Sequence, residues 1–225
     1  MNMILRHKII GCLTLLLVTV SANFAKGQGV VVSVSGPPDT THQYNSSLVV
    51  GYQLLGVSWI ATGAYSNVNI AVSLGGNSGA TGIAYLTRSI GTGTAIANQV
   101  ASASFSFPST GSFVPMLSGL NLTAGTYYLI IQQTTNGING NGQWLGTPSP
   151  NLSTAANVTA NGEYYSYNAI QHYAPATSFS EVFTTYLDYY VTGTPVPEPS
   201  VTWLILLGSG VVIWWCRRNR IACLK

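Results

Sequence analysis

Residues 68–74, Val68-Asn69-Ile70-Ala71-Val72-Ser73-Leu74, alternate between larger apolar side chains and small or polar ones. A period of two places the apolar side chains on one face of an extended strand. Similar short runs, rich in β-branched and aromatic residues, occupy 48–54, 57–60, 83–87, 100–107 and 127–131. Glycine-rich turn segments separate them, and no sustained helical period with caps interrupts them. The pattern predicts an all-β domain, an antiparallel β-sandwich of the jelly-roll-like type.

The strands lie in a central segment, residues 28–194, that has the length of one domain. This segment contains no cysteine, since Cys12, Cys216 and Cys223 all lie towards the ends of the chain. No disulfide framework is therefore available. About 165 residues bury roughly two-thirds of their surface on folding, so a hydrophobic core alone can hold such a domain.

The beginning of the chain has the pattern of a secretory signal peptide. Arg6 and Lys8 precede an apolar stretch over residues 9–20, and Ala25-Lys26-Gly27 places small residues where signal peptidase reads. We expect a signal peptide over residues 1–27, handled by the general export machinery and cut after Gly27. Cleavage after Ala25 is the alternative.

The end of the chain, residues 195–225, combines three features in order. Pro197-Glu198-Pro199 comes first, an apolar run follows, and a basic cluster of Arg217, Arg218 and Arg220 closes it. A helix over residues 201–216 would span roughly 22 to 25 Å, the lower limit for crossing a bilayer. The arginines would stop transfer and stay in the cytoplasm, which leaves the upstream domain outside.

This three-part tail resembles the PEP-CTERM sorting signal of Gram-negative bacteria. The resemblance implies that a membrane-embedded, exosortase-type enzyme cuts near Pro197 to Pro199, so that a protein first anchored in the inner membrane moves to the cell surface or the extracellular matrix. The two prolines suit that role because they favour extended backbone and block helix. The alternative is an ordinary single-pass anchor with a proline-bounded linker.

Two segments of the central domain carry a second resemblance. Residues 120–129 look like the hairpin of many secreted bacterial sandwiches, in which Gly125 reverses the chain and residues 127–129 enter a core strand. Residues 65–68 and 84–91 are similar to domains found upstream of PEP-CTERM tails. This resemblance implies fold and compartment, and transfers no active site.

The charge of the central region excludes one class of partner. The whole chain has a formal net charge of +3, but between Gln28 and Ser200 it has one basic residue, Arg88, against five acidic ones, a net charge of −4. Nucleic-acid binding needs several basic contacts to phosphate. We therefore expect no nucleic-acid partner.

The central region also offers little catalytic chemistry. It has no cysteine, only His42 and His172 as histidines, and no Gly-x-Ser-x-Gly elbow. We expect a noncatalytic protein. The enzymatic alternative is a secreted glycoside hydrolase, which would need two carboxylates facing each other across a cleft, drawn from Glu163, Glu181 and Asp188.

We expect no cofactor, although one metal has candidate ligands. Asp39, Glu181 and Asp188, together with loop carbonyls, could supply oxygen ligands to calcium. The alternative is that they are solvated acids at strand ends.

Aromatic residues crowd the last third of the domain, and some of them could stack on sugars. The best candidate edge is the asparagine-glycine loop over residues 136–142, with Asn139 and Asn141, beside Trp144. The sequence thus predicts an exported, noncatalytic protein of the cell surface or matrix. A carbohydrate-binding module for exopolysaccharide is the first alternative.

Overall fold

The structure is a computed structural model that describes residues 27–36, 46–48, 54–76, 79–134, 142–147, 149–166, 173–182, 186–197 and 210. Residues 27–197 of this set form strands and their connections, together with two short 3-10 helices, Ile96–Asn98 and Ala174–Ala176, and Gly210 is helical. The strands are β1 (Gly29–Ser35), β2 (Ser46–Leu48), β3 (Leu54–Ala61), β4 (Tyr65–Gly76), β5 (Thr81–Thr87), β6 (Gln99–Ser106), β7 (Ser112–Leu122), β8 (Gly125–Gln133), β9 (Gly142–Trp144), β10 (Gly146–Thr147), β11 (Asn151–Thr154), β12 (Val158–Ser166), β13 (Ser180–Val182), β14 (Tyr186–Leu187) and β15 (Tyr189–Pro195).

The chain divides into two compact units, Ala25–Pro195 and a second made of Met1–Phe24 with Val196–Lys225. Only Val196, Pro197 and Gly210 of the second unit are among the described residues. All the strands above therefore belong to the first unit.

The first sheet is organised around β4, its longest strand. One edge of β4 pairs with β7, and the other pairs first with β15 and then, from Leu74 to Gly76, with β9. Beyond β15 lie β1 and β11, and beyond β9 lies β2. Among the described strands, β7 pairs with β4 alone, so its other edge forms no inter-strand hydrogen bonds with them. Pro115, which has no backbone N–H to donate, is tolerated in such an edge strand.

The second sheet has six strands in the order β13-β12-β3-β8-β5-β6. A two-stranded pair, β10 with β14, completes the described sheets, and every pairing in them is antiparallel. The predicted all-β class with antiparallel sheets is confirmed.

The two sheets pack face to face around one hydrophobic core. Trp59 of β3 stacks on its cross-strand partner Tyr127 of β8, with ring centroids 5.8 Å apart. On its other side Trp59 stacks at 6.2 Å on Tyr189 of β15, which belongs to the first sheet. All three rings are at most 2% exposed, and burying an aromatic side chain of this kind contributes about 1.5 to 3 kcal/mol. The architecture is β-sandwich-like.

Most of the predicted strands lie where the pattern placed them. Runs 57–60, 68–74, 83–87 and 127–131 fall within β3, β4, β5 and β8, and run 100–107 matches β6 except for its last residue. Run 48–54 overlaps only the end of β2 and the start of β3, and residues 49–53 are not among those described.

The prediction of a hairpin over residues 120–129 is wrong. β7 pairs with β4 in the first sheet, whereas β8 pairs with β3 and β5 in the second, so Thr123 and Ala124 carry the chain from one sheet to the other. Turn residues of this kind reverse direction equally well into a hairpin or across a sandwich. The core position of the strand that follows is confirmed, because Tyr127 and Leu129 are fully buried.

No helix that is long and apolar enough to cross a membrane occurs among the described residues. The predicted signal peptide and tail helix, residues 1–27 and 201–216, lie outside those residues except for Gly27 and Gly210.

Candidate functional site

A cleft of about 310 Å³ opens between the two sheets, beside the edge strand β11. The first sheet contributes Leu152 of β11 and Tyr189 of β15, and the second contributes residues 160–163 of β12. The rest of the wall is formed by Pro150, Tyr186 of β14, Val34 of β1, and Val57 and Ser58 of β3. Every residue of β11 is exposed, so the cleft is accessible from solvent on that side. We call it the β11–β12 cleft.

A β-bulge in β12 shapes its floor. Ala160 pairs with Trp59 and Glu163 with Val57, so Asn161 and Gly162 together oppose a single residue of β3. That residue is Ser58, whose Oγ accepts a hydrogen bond from the Gly162 N–H at 3.2 Å. Directly paired residues share a face of the sheet, and Val57 is buried in the core. The register therefore turns Glu163 towards the space between the sheets.

The Glu163 carboxyl group is held in a desolvated position. It accepts a hydrogen bond from the Leu187 N–H, which joins β12 to β14. The pKa of Glu163 is raised to about 8, mainly by burial and to a smaller extent by the nearby Asp188, against the lowering effect of that hydrogen bond. At neutral pH Glu163 is thus mainly an uncharged carboxylic acid.

Asp188 lies next to this group without lining the cleft. Its side chain is 6% exposed, and its Oδ1 has no hydrogen-bond partner among the described atoms. Burial raises the pKa of Asp188 to about 7. Burial, and the charge of Glu163, also raise the pKa of the Tyr189 phenol. All three groups therefore favour their neutral forms.

The sugar-stacking role predicted for Trp144 is wrong. Its side chain is fully buried, and its Nε1 donates a hydrogen bond to the Asp188 carbonyl at 2.9 Å. β9, which carries Trp144, is paired on both edges, with Leu74 of β4 and Ser46 of β2. The ring belongs to the core and presents no free face. Asn139 and Asn141 lie outside the described residues.

The predicted carboxylates are only partly brought together. Asp188 is close enough to Glu163 to raise the pKa of the Glu163 carboxyl group. Glu181 lies exposed on β13 at the edge of the second sheet and accepts a hydrogen bond from the Tyr164 hydroxyl at 3.3 Å. Among the described residues, no three His, Cys, Asp or Glu side chains group closely enough to hold a metal ion. The third calcium candidate, Asp39, is not among them.

Of the predicted sorting residues, only Pro197 is described, and it is exposed. Glu198, Pro199 and the three arginines of the tail, Arg217, Arg218 and Arg220, lie outside the described residues.

Sequence reasoning missed Asn161 as a residue of a site, and included Tyr186 only among the aromatic residues of the last third of the domain that could stack on sugars. The available signal was the Asn161-Gly162 dipeptide inside a strand-like run, which indicates a bulge. Nothing local in the sequence shows which side chains the bulge would face.

No family model matches the chain, and no curated protein matches it.

Proposed function

We propose that this chain is an exported, noncatalytic protein of the cell surface or extracellular matrix, sorted through its PEP-CTERM-like tail by an exosortase-type enzyme. The observation that carries the proposal is the position of the Pro-Glu-Pro motif. β15 ends at Pro195, and Val196 and Pro197 follow it exposed, with Val196 at 43%. The motif thus begins two residues after the last strand.

This position suits a processing site because β15 is an interior strand. It pairs with β1 on one side and with β4 on the other. A cut upstream of Pro195 would remove part of the centre of the first sheet, whereas a cut at Pro197 to Pro199 leaves every described strand intact. Two prolines in such a segment also favour extended backbone, the form in which proteases bind chains.

The positions of the two neighbouring carboxyl groups support a noncatalytic reading over a glycoside hydrolase. Hydrolases of that class pair a protonated acid with an ionised base or nucleophile across the sugar. Here Glu163 and Asp188 both have raised pKa values, about 8 and about 7, and only Glu163 lines the cleft. The two carboxyl groups therefore do not face each other across the cleft, as that mechanism requires.

The proposal also covers export, membrane anchoring and strand order. A signal peptide over residues 1–27 would engage the export machinery and signal peptidase, and a helix over residues 201–216 would hold the protein in the inner membrane until processing. We also propose a jelly-roll-like strand order, which the β7-to-β8 crossing between sheets supports. Neither a cofactor nor a nucleic-acid partner is part of the proposal.

The test is to replace Pro197-Glu198-Pro199 by alanines in a host that carries an exosortase. We expect full-length protein to accumulate in the inner-membrane fraction, while the unaltered chain matures to a shorter, released form. The matched control replaces the exposed Ile96 and Asn98 by alanine, which should not alter maturation. Release of the triple-alanine variant at the normal size and rate would refute the proposal.

A further inference from the structure

The β11–β12 cleft has features that sorting does not require. Its volume of about 310 Å³ is at the small end of the range for ligand pockets. Its wall is mostly apolar, with a few polar groups that converge from β3 and β12. A concave apolar site with a small number of placed polar groups is the usual form of a ligand site.

The charge of the cleft selects among ligand classes. None of the described residues that line it is basic. Arg88, the one basic residue between Gln28 and Ser200, is engaged elsewhere, with Thr123, Ala124 and Tyr127. An anionic ligand would therefore enter without a compensating cation and beside an acidic residue, which is unfavourable.

The polar groups of the cleft can both donate and accept hydrogen bonds. Asn161 is exposed and carries an amide, which offers both functions. Glu163 in its neutral form offers a hydroxyl donor as well as acceptors. Groups with this dual capacity match the hydroxyl groups of a neutral ligand, each of which also donates and accepts.

The apolar side chains at the cleft remain accessible to a ligand. Tyr186 is 45% exposed and Leu152 is 58% exposed, and Pro150 lies beside them. Such side chains can pack against the C–H faces of a sugar ring, and the tyrosine adds a polar tip.

We propose that the β11–β12 cleft binds a neutral saccharide, with Asn161 and Glu163 bonding to its hydroxyl groups and Tyr186 packing against its ring. This site differs from the region around Trp144. It does not depend on the sorting proposal, because binding by the purified chain requires no processing.

The experiment titrates the full-length chain, purified in mild detergent at pH 6, with glucose, galactose, mannose, cellobiose and maltose, and follows binding by calorimetry and saturation-transfer NMR. Glucosamine and glucuronate serve as the cationic and anionic comparisons. We expect at least one neutral sugar to bind with millimolar to micromolar affinity, and glucuronate not to bind.

Variants locate the site and define its chemistry. Tyr186→Ala and Glu163→Leu should each weaken the binding of the neutral sugar about tenfold, the effect of losing one good contact. Glu163→Gln should keep the affinity within about threefold, because the amide retains a donor and an acceptor. The matched control is Tyr190→Ala, which removes a tyrosine that is 38% exposed and does not line this cleft.

Three results would overturn the proposal. Failure of every neutral sugar to bind would do so, as would neutral-sugar binding that survives both Tyr186→Ala and Glu163→Leu. Preferential binding of glucosamine that Glu163→Gln abolishes would identify an amine site instead. Tyr186 is 45% exposed, so its variant should fold and keeps the test decisive even if Glu163→Leu does not fold.

Discussion

The guanidinium group of Arg88 donates a hydrogen bond to the hydroxyl of Tyr127 at 2.8 Å, and that hydroxyl donates in turn to the carbonyl of Thr123 at 2.5 Å. Arg88 also lies over the Tyr127 ring, 4.7 Å from its centroid. Thr123 stands where the chain leaves the first sheet, and Tyr127 lies in the strand it enters in the second. The arrangement has the form of a tyrosine corner, in which a tyrosine hydroxyl bonds back to backbone a few residues upstream.

Arg88→Met should destabilise the domain by about 1 to 3 kcal/mol, because it removes the charged donor to Tyr127, to Thr123 Oγ1 and to the Ala124 carbonyl. Urea denaturation measures this as a lower midpoint with an unchanged slope. Arg88→Lys keeps the charge but not the forked donors, so its midpoint should lie between those of Arg88→Met and the unaltered chain. Equal midpoints for all three proteins would contradict the structural role.

The same corner predicts that the effects of Arg88→Met and Tyr127→Phe are not additive. Each variant removes part of one network, so the double variant should lose less stability than the two single variants together, by about 0.5 to 2 kcal/mol. Strict additivity would mean that Arg88 and Tyr127 do not interact in solution.

Stability should fall as the pH rises from about 5 to 8. The pKa of Glu163 is about 8 in the folded protein against an ordinary 4.5, so across that interval the unfolded chain has released a proton that the folded chain keeps. The favourable contribution is fully present below about pH 4.5 and is lost as the pH passes through 8. Asp188, at about 7 against 3.8, acts in the same direction. Melting temperatures at pH 5 and pH 8 at constant ionic strength measure the effect.

Glu163→Gln should flatten this pH dependence, because glutamine does not ionise, and Asp188→Asn should remove much of what remains. The exposed Glu181 supplies the matched control, Glu181→Gln. A Glu163→Gln variant with the same slope as the unaltered chain would show that Glu163 ionises normally.

Strands could be predicted from sequence where apolar side chains alternate with small or polar ones, as in residues 68–74. β7 was harder, because Pro115 and Gly119 interrupt its pattern and only its pairing with β4 makes it a strand. The sheet to which a strand belongs depends on distant partners. For that reason the segment around Gly125 suggested a hairpin, although it crosses between sheets.

The candidate site was less predictable than the fold. Trp144 stands beside a glycine-rich loop, a context typical of exposed residues, yet its side chain packs in the hydrophobic core. Nothing in their sequence context distinguishes the three acids Glu163, Glu181 and Asp188 from one another. The bulge at residues 160–163 and the register against β3 turn Glu163 inwards, whereas Glu181 lies on the edge strand β13, opposite Tyr164.

Trp144→Ala should cost about 3 to 5 kcal/mol, because it leaves a large cavity in the core. Trp144→Phe should cost less, since it keeps most of the ring and loses the hydrogen bond to the Asp188 carbonyl. Phe113→Ala is the comparison for an aromatic side chain that is 48% exposed, and should change stability by no more than about 0.5 kcal/mol. An unchanged melting temperature for Trp144→Ala would contradict its core position.

Gly82 of β5 is required by close contact. A Cβ atom there would lie 2.7 Å from the carbonyl oxygen of Gln132 and 2.8 Å from Cε1 of Phe105. Phe105 lies in β6 and pairs directly with Gly82. The oxygen belongs to the backbone of β8 and cannot rotate away, so Gly82→Ala should displace β5 against its neighbour.

We expect Gly82→Ala to destabilise the domain by about 1 to 3 kcal/mol, the usual cost of overpacking. Gly29 lies in β1 with nothing within 4 Å of its would-be Cβ, so Gly29→Ala is the matched control and should stay within about 0.5 kcal/mol of the unaltered chain. Chemical denaturation of the three proteins side by side measures the difference. If both substitutions had the same small effect, β5 would not approach β8 as closely as the strand pairing requires.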